Sequence, residues 1–198
     1  MSAAHRDFLV EIGTEELPPK SLQALATAFA DGIAKGLTDA GLEHRTVERF
    51  ATPRRLAVRV RRLAERQPDR AIERRGPPLK AAFDAQGTPT QAAVAFAKSC
   101  GVEVNHLEQL ETPKGAWLVH RGTEAGAYTA SLLPAIVQTA LDALPIARRM
   151  RWGAGEAQFV RPVHWVLVAF GKETLPCEIL GVASSNVTYG HRFMAPKA

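Results

Sequence analysis

The side chains with the clearest capacity to bind a ligand in this sequence are arginines, and most of them fall in one segment. Residues 45–75 contain eleven Arg and four acidic residues and lack Lys, whereas the whole chain of 198 residues carries a formal net charge of +5. The guanidinium group is a planar fork of donors that matches phosphate oxygens and stacks on bases. A block of this density therefore indicates a nucleic acid or another polyanion as partner, and a solvated surface is the alternative.

A second, smaller basic cluster combines arginine with an aromatic side chain. Arg148, Arg149 and Arg151 lie next to Trp152 in the chain. This combination suits phosphate contact together with stacking on an unpaired base. The alternative is that Trp152 fills the core at the end of a helix while the arginines face solvent.

Three glutamates and two histidines are candidates for acid–base chemistry, but their surroundings favour structural roles. Glu15 and Glu16 precede a predicted helix, whose dipole stabilises negative charge at that end. His164 and His191 resemble histidines that are hydrogen-bonded within a fold more than they resemble catalysts. A hydrolase acting through Glu11 and His191 would require both side chains in one pocket. We therefore assign no catalytic residue from the sequence.

Several other kinds of site are not supported by the sequence. Cys100 and Cys177 stand alone, without a CxxC motif or a His at metal spacing, which excludes a disulfide framework or a structural zinc site as the organising principle. P-loop, HExxH and GxSxG motifs are absent. The longest strongly apolar run, residues 165–170, is too short for a membrane span, and the first residues lack a signal-peptide core. We expect a cytoplasmic protein without membrane association.

The arginine-rich segment itself predicts a strand with two different faces. Over residues 55–63, Leu56, Val58 and Val60 alternate with arginines. A period of two places the aliphatic side chains on a core face and the arginines on a solvent face. Same-face neighbours in a strand lie roughly 6.6 Å apart, which is close to the phosphate spacing along a nucleic-acid strand. Phosphate contact by this strand is therefore physically reasonable.

Three amphipathic helices are predicted. The first carries an apolar stripe over residues 22–37, and the third covers residues 128–144. The second opens with a capping box formed by Thr88 and Gln91 and ends at Gly101.

Short strands account for most of the remaining pattern. They are predicted at residues 8–12, 47–50, 104–110, 116–121, 164–170 and 175–180. Residues 64–80, which are rich in Arg, Gly and Pro, are predicted to form an exposed loop. Because helices and strands alternate without regular βαβ units, we expect an α+β fold. It would have a mainly antiparallel sheet with about three helices packed on it, in a single compact domain over residues 1–198.

Five short motifs resemble the β subunit of bacterial glycyl-tRNA synthetase, the heterotetrameric type. They are residues 11–18 (EIGTEELP), 50–57 (FATPRRLA), 150–153 (MRWG), 159–165 (FVRPVHW) and 188–193 (TYGHRF). Each is short, but five in the same order make a specific signal that spans nearly the whole chain. The family's β subunit is several times longer, so the resemblance identifies this chain with its N-terminal region, without the C-terminal anticodon-binding domain. Arg148 and Arg149 stand where a Lys-Ser-like pair is expected, which keeps positive charge.

The resemblance implies one half of an α2β2 heterotetramer that joins glycine to tRNA(Gly) with ATP and Mg²⁺. In this family the α subunit carries the adenylate-forming site and the β subunit mainly grips tRNA. The chain is therefore expected to be a non-catalytic part of glycine–tRNA ligase that binds neither ATP nor metal itself. Its role would be to position tRNA, which lowers the entropic cost of a two-substrate reaction.

The arginines are the expected RNA contacts, and both stretches are expected to form one cationic surface. They are Arg54, Arg55, Arg59 and Arg61, followed by Arg148, Arg149 and Arg151. The competing hypothesis is an assembly module that holds the α subunit or the rest of the β subunit without touching RNA. In that case the apolar stripe over residues 22–37, or Trp117, would face the partner.

Overall fold

The computed structural model describes residues 4–113, 115–191 and 194–195. The strands are β1 (His5–Thr14), β2 (Val47–Thr52), β3 (Arg55–Ala64), β4 (Arg70–Pro78), β5 (Glu108–Thr112), β6 (Gly115–Glu124), β7 (Met150–Arg151), β8 (Gln158–Phe159), β9 (Val163–Phe170), β10 (Glu173–Thr174), β11 (Glu178–Ile179) and β12 (Val182–Ser185). The helices are α1 (Pro19–Asp39), α2 (Leu79–Ala82), α3 (Gln91–Cys100) and α4 (Thr129–Asp142), with a 3₁₀ turn at Val104–His106. The chain divides into two compact units, Met1–Pro68 together with Ala127–Ala198, and Asp69–Gly126.

The first unit is built on a twisted sheet with the strand order β11-β12-β9-β1-β3-β2, and β10 pairs with β9. All of its described pairings are antiparallel except β12 with β9. The long strands β1, β3 and β9 lie in the centre, where each is hydrogen-bonded on both sides. This arrangement confirms the α+β class and the mainly antiparallel sheet.

Helices α1 and α4 cover one face of this sheet. The core-facing residues of the central strands alternate as predicted, and Leu56, Val58 and Val60 are fully buried. The stripe of α1 meets them with Phe29 and Ile33, which are also fully buried. Because this stripe is consumed by the core, it is not available to face a partner.

We call the opposite face of the sheet the outer face. The residues that alternate with the core-facing ones along the central strands lie on it. Direct cross-strand neighbours place on it Glu11 and Gly13 of β1, Arg55, Ala57 and Arg59 of β3, Glu48, Phe50 and Thr52 of β2, and Trp165 and Leu167 of β9. Phe50 is 48% exposed. Neither α1 nor α4 packs on this face. Glu11, Ala57 and Leu167 are nevertheless buried there, whereas Phe50 is exposed and can reach a ligand or partner.

The second unit is an antiparallel sheet with the order β4-β6-β5, and its helices α2 and α3 pack on one side. Its small core is centred on Ala82, Ala93 and Leu118. On the other side of the sheet the Arg75 guanidinium lies 3.7 Å from the centre of the Trp117 ring.

Two local predictions are wrong, and two predicted strands are only partly confirmed. Residues 104–106 of the predicted strand 104–110 form a 3₁₀ turn, and within residues 175–180 only Glu178–Ile179 form a strand. Much of the predicted loop over residues 64–80 is strand β4, which pairs with β6 from Arg70 to Pro78. The prolines that suggested a loop are tolerated because β4 is an edge strand and they stand at its end. The capping box is also wrong, since α3 begins at Gln91 with Thr90 as its N-cap and without a side-chain cap. The fourth helix, α2, is a single turn that the periodicity could not reveal.

The packing of α1 on α4 depends on a glycine. A Cβ atom added at Gly32 would lie 2.9 Å from the Cβ and 3.2 Å from the Cα of Ala140. Real Cβ atoms do not approach this closely, so the helices would have to separate.

We predict that Gly32→Ala lowers the free energy of unfolding by about 1 kcal/mol, because overpacking outweighs the gain in helix propensity. Urea unfolding of the chain measures this. Ala24→Gly, at an exposed position of the same helix, measures the effect of helix propensity alone. It is also expected to lower the free energy of unfolding by about 1 kcal/mol. A gain in stability for Gly32→Ala would contradict the tight contact.

Candidate functional site

A cleft of about 700 Å³ lies at the end of the central strands of the first unit. It is lined by residues 15–16, 52–55, 164–165, 189–191 and 195. Three backbone hydrogen bonds hold these segments together, since the amides of Thr14, Glu15 and Leu17 donate to the carbonyls of Arg54, Pro162 and Pro53 at 2.9, 2.9 and 2.6 Å. The cleft therefore forms where β1 ends, β2 turns into β3, and β9 begins.

A buried carboxylate fixes the floor of the cleft. Glu11 is only 6% exposed. Trp165 Nε1 and Thr188 Oγ1 each donate to its Oε1 at 2.6 Å, and Arg55 Nε forms an ion pair with the same atom at 3.4 Å. A buried carboxylate is tolerated only when its charge and its hydrogen-bonding capacity are satisfied. Glu11 is therefore a structural group, and it is not among the residues that line the cleft, whereas His191 is.

Trp165 and Tyr189 line the cleft beside Glu11, and we call them the aromatic wall. The rings of Trp165 and Tyr189 meet edge to face with their centroids 5.0 Å apart and an interplanar angle of 60°. The Arg55 guanidinium lies 5.7 Å from the centre of the Trp165 ring and donates to the backbone carbonyl of Tyr189. Trp165 lies across Gly13, where an added Cβ would be 2.0 Å from the ring. Only glycine at this position lets the indole lie flat on the sheet.

A chain of polar groups also lines the cleft. His164 Nε2 donates to Glu15 Oε1 at 2.8 Å, and Arg54 pairs with Glu15 Oε2 at 2.8 Å. The hydrogen bond from His164, reinforced by the positive charge of Arg54, holds the pKa of the Glu15 carboxyl below its usual value. All three side chains are partly exposed, so a ligand in the cleft can reach them.

The structure divides the four arginines predicted in and just before β3 into two groups. Arg54 and Arg55 line the cleft. Arg59 and Arg61 lie farther along the strand, at least about 13 Å from Arg55 by strand geometry. Arg59 pairs with Glu48 at 2.6 Å, and Arg61 pairs with Asp7 at 2.9 Å and with Glu48 at 3.5 Å.

The second arginine cluster lies around β7. Arg151 pairs with Glu156 at 2.9 Å, and Arg149 donates to the backbone carbonyl of Asp142 at 2.7 Å. Arg148 is exposed. Trp152 packs against the core, as the alternative interpretation held.

Arg161 connects this cluster to the cleft, although the sequence did not single it out. Its Nε donates to the backbone carbonyl of Glu16 at 3.0 Å, and its Nη1 lies 4.0 Å from the sulfur of Met150. The β7–β8 hairpin therefore stands beside the rim of the cleft. Of the seven predicted arginines, five pair with a carboxylate: Arg54, Arg55, Arg59, Arg61 and Arg151.

Sequence reasoning also missed the roles of His164 and Tyr189 in the cleft. Both stand in the motifs that carry the family resemblance, so the motifs were the available signal. Their partners are far away in the chain, and the residue spacing could not reveal them. Residues 192 and 193 of the last motif lie outside the described residues.

Within residues 4–113, 115–191 and 194–195, no group of three or more His, Cys, Asp or Glu side chains is placed to hold a metal ion. The helices in this part of the chain are all too short or too polar to cross a membrane.

Comparison with known proteins identifies the family. The family model described as glycyl-tRNA synthetase beta subunit matches residues 8–198. The chain belongs to the glycyl-tRNA synthetase β subunit family. The motif resemblance found in the sequence is thereby confirmed.

Individual members of the glycyl-tRNA synthetase β subunit family match over nearly the whole chain. The proteins named glycine–tRNA ligase beta subunit from Hahella chejuensis, Marinobacter nauticus and Escherichia coli are 58%, 53% and 52% identical over 97%, 98% and 96% of this chain. The chain spans about 28% of the length of each of these relatives. Four of the five motifs that carry the resemblance supply residues to the cleft, and the fifth supplies Met150 beside its rim, so the family pattern coincides with this site.

We predict that Glu11→Ala lowers the free energy of unfolding by about 3 kcal/mol, because it leaves buried donors and a guanidinium without their acceptor. The matched control is Glu48→Ala on β2, whose half-exposed ion pair is worth about 1 kcal/mol or less. Urea unfolding compares the two variants. Equal losses would show that Glu11 does not hold the wall of the cleft.

The lowered pKa of Glu15 predicts a specific pH dependence. A carboxyl whose pKa is lower in the folded state stabilises the fold above its unfolded pKa of about 4.3, and this contribution disappears as the pH falls through the folded value. Glu15→Gln should therefore be less stable than the wild type at pH 6, and the difference should shrink as the pH falls below about 4.3.

Urea midpoints across this pH range measure the effect. Glu16→Gln serves as the control, since Glu16 contacts Arg161 through its backbone carbonyl rather than its carboxylate. A difference between Glu15→Gln and the wild type that stays constant with pH would contradict the assignment.

Proposed function

We propose that this chain is part of a glycine–tRNA ligase and contributes to binding and positioning tRNA(Gly). The observation that carries the proposal is its membership of the glycyl-tRNA synthetase β subunit family over residues 8–198. The ligase joins glycine to tRNA at the expense of ATP, with Mg²⁺, in the cytoplasm. The adenylate chemistry is performed on the α subunit of an α2β2 assembly, and this chain binds neither ATP nor metal.

The proposed contribution is geometric. Holding the tRNA in a fixed orientation converts an encounter between two substrates into a local reaction, which removes most of its entropic barrier. Double-stranded RNA is recognised mainly by its shape and its phosphates, and arginines on a strand are suited to that task.

The proposed phosphate contacts on the outer face are Arg55, Arg59 and Arg61, with Arg54 at the edge of the cleft. Arg59 and Arg61 are 36% and 45% exposed, and both are held in place by Glu48. An arginine that is already oriented loses less conformational freedom when a phosphate arrives, although the phosphate must compete with the carboxylate. The second proposed group, Arg148, Arg149 and Arg151, follows helix α4 near the same end of the sheet as the cleft.

A second candidate function is an assembly module that binds the α subunit or the rest of the β subunit. The pairing of five predicted arginines with carboxylates favours it, since paired arginines attract phosphate less strongly. Phe50 also favours it, because an exposed aromatic beneath Arg59, whose guanidinium lies 5.7 Å from the ring centre, is typical of protein interfaces. The two functions differ in how binding depends on salt.

We predict that Arg59→Gln with Arg61→Gln in the complete ligase weakens tRNA binding and reduces the salt dependence of the affinity. Each lost phosphate contact should lower the slope of log K against log salt by about 0.7 to 0.9. Glu48→Gln, which releases Arg59 and leaves Arg61 paired with Asp7 alone, should strengthen binding. Titration with tRNA at several salt concentrations measures the affinity of the wild type, the double arginine variant and Glu48→Gln.

The control is Lys20→Gln with Lys35→Gln, which removes the same charge from exposed positions of α1 on the other side of the sheet. Equal effects of the two double variants would indicate a general charge effect. If the arginine variants bind tRNA normally while Phe50→Ala loses the α subunit in high salt, the assembly function replaces tRNA positioning.

A further inference from the structure

We propose that the cleft binds one unpaired nucleotide of an RNA strand, with the base against the aromatic wall and the phosphate facing the arginines. This inference deepens the proposed function and rests on it, because it names which part of an RNA the cleft would take. It concerns a site distinct from the phosphate contacts at Arg59 and Arg61.

The aromatic wall is the first observation that supports a base. Tyr189 is 42% exposed, so part of its ring is available for stacking. Its position is fixed, because Arg55 holds its backbone carbonyl and its ring meets Trp165 edge to face. Trp165 in turn is held by Glu11. A rigid aromatic surface beside a guanidinium plane is the usual platform for an unstacked base.

The polar groups of the cleft match the rest of a nucleotide. Glu15 and His164 are 39% and 46% exposed and offer an acceptor and an imidazole to the edge of a base. Arg54 stands beside them and can contact a phosphate, while its pairing with Glu15 keeps it in place. A platform, an edge-reading pair and a cation are therefore within one concavity.

The size and the charge of the cleft favour a single nucleotide over a double helix or an arbitrary polyanion. Its volume of about 700 Å³ lies within the range of roughly 300 to 1,000 Å³ that is typical of small-ligand sites. A base with its ribose and phosphate is a ligand of that class, whereas a double helix is not. The charges on Glu15 and Glu16 offset those on Arg54 and Arg55, so the cleft does not act as a general polyanion trap. Discrimination must come from stacking and edge contacts.

The experiment uses the complete ligase with Tyr189→Ala, Tyr189→Phe and, as the matched control, Tyr128→Ala. Tyr128 is the other tyrosine of this chain, is 69% exposed, and lies beneath Arg66 away from the cleft. Three probes are compared by titration: a short single-stranded RNA, an RNA hairpin without an overhang, and AMP. A single-stranded RNA that contains 4-thiouridine is also crosslinked to the wild-type ligase with light, and the crosslinked peptide is identified by mass spectrometry.

We expect Tyr189→Ala to weaken the binding of single-stranded RNA at least about fivefold, because one base–aromatic stack is lost. Tyr189→Phe should bind like the wild type, because the ring remains, and Tyr128→Ala should also bind normally. The hairpin should respond to none of these changes. Crosslinks should fall on residues 164–165 or 189–191.

Unchanged affinity in Tyr189→Ala, or crosslinks confined to other segments, would overturn the inference. A third contradicting result would be that Tyr189→Ala weakens the binding of AMP but not the binding of single-stranded RNA. The cleft would then take a free nucleotide. Crosslinking uses the wild-type protein, so the test holds even if Tyr189→Ala misfolds. If the inference fails while Arg59→Gln with Arg61→Gln still weakens tRNA binding, the proposed function stands without this subsite.

Discussion

The first unit depends on one buried carboxylate. Glu11 lies in the middle of the central strand. Trp165 and Thr188 donate hydrogen bonds to it, and the Arg55 guanidinium forms an ion pair with it. An isolated carboxylate in such a position is strongly destabilising, whereas a fully bonded one holds its partners in a single geometry. The segment after β12, the start of β9 and the start of β3 are thereby joined at one point. The cleft is the space that remains beside this junction.

The same junction explains why the site is rigid without a metal or a disulfide among the described residues. Trp165 lies flat because Gly13 leaves room for it, and its indole N–H is already used by Glu11. Tyr189 is positioned by its backbone carbonyl and by the contact of its ring with Trp165, and the exposed part of the ring is available to a ligand. Binding surfaces that are arranged before the ligand arrives lose less entropy on binding. The site is therefore suited to holding a substrate in place.

Several arginines of the basic segment are paired with carboxylates, so the segment does not form an uninterrupted positive surface. The arginine-rich segment reads as strongly cationic along the chain, but Asp7, Glu15 and Glu48 meet several of its arginines in space. Partly exposed ion pairs of this kind add little stability, and their main effect is to orient the side chains. The proposed RNA surface, built in this way, would depend on shape and on competition with carboxylates. This favours recognition of one arrangement of phosphates over attraction to any polyanion.

The sequence alone determined the fold class, the buried faces of β3 and α1, and the family, because periodicity and short motifs report local surroundings. It also identified the arginines, because the guanidinium group can bind phosphate in any structural context. Only the tertiary structure decided which of them are paired, since Glu11 meets Trp165 and Thr188 across 154 and 177 residues. The strand β4 was hidden for the same reason, because its hydrogen bonds come from β6. Such contacts depend on which strands pair and in which register, whereas the pattern within one segment shows only which of its faces is buried.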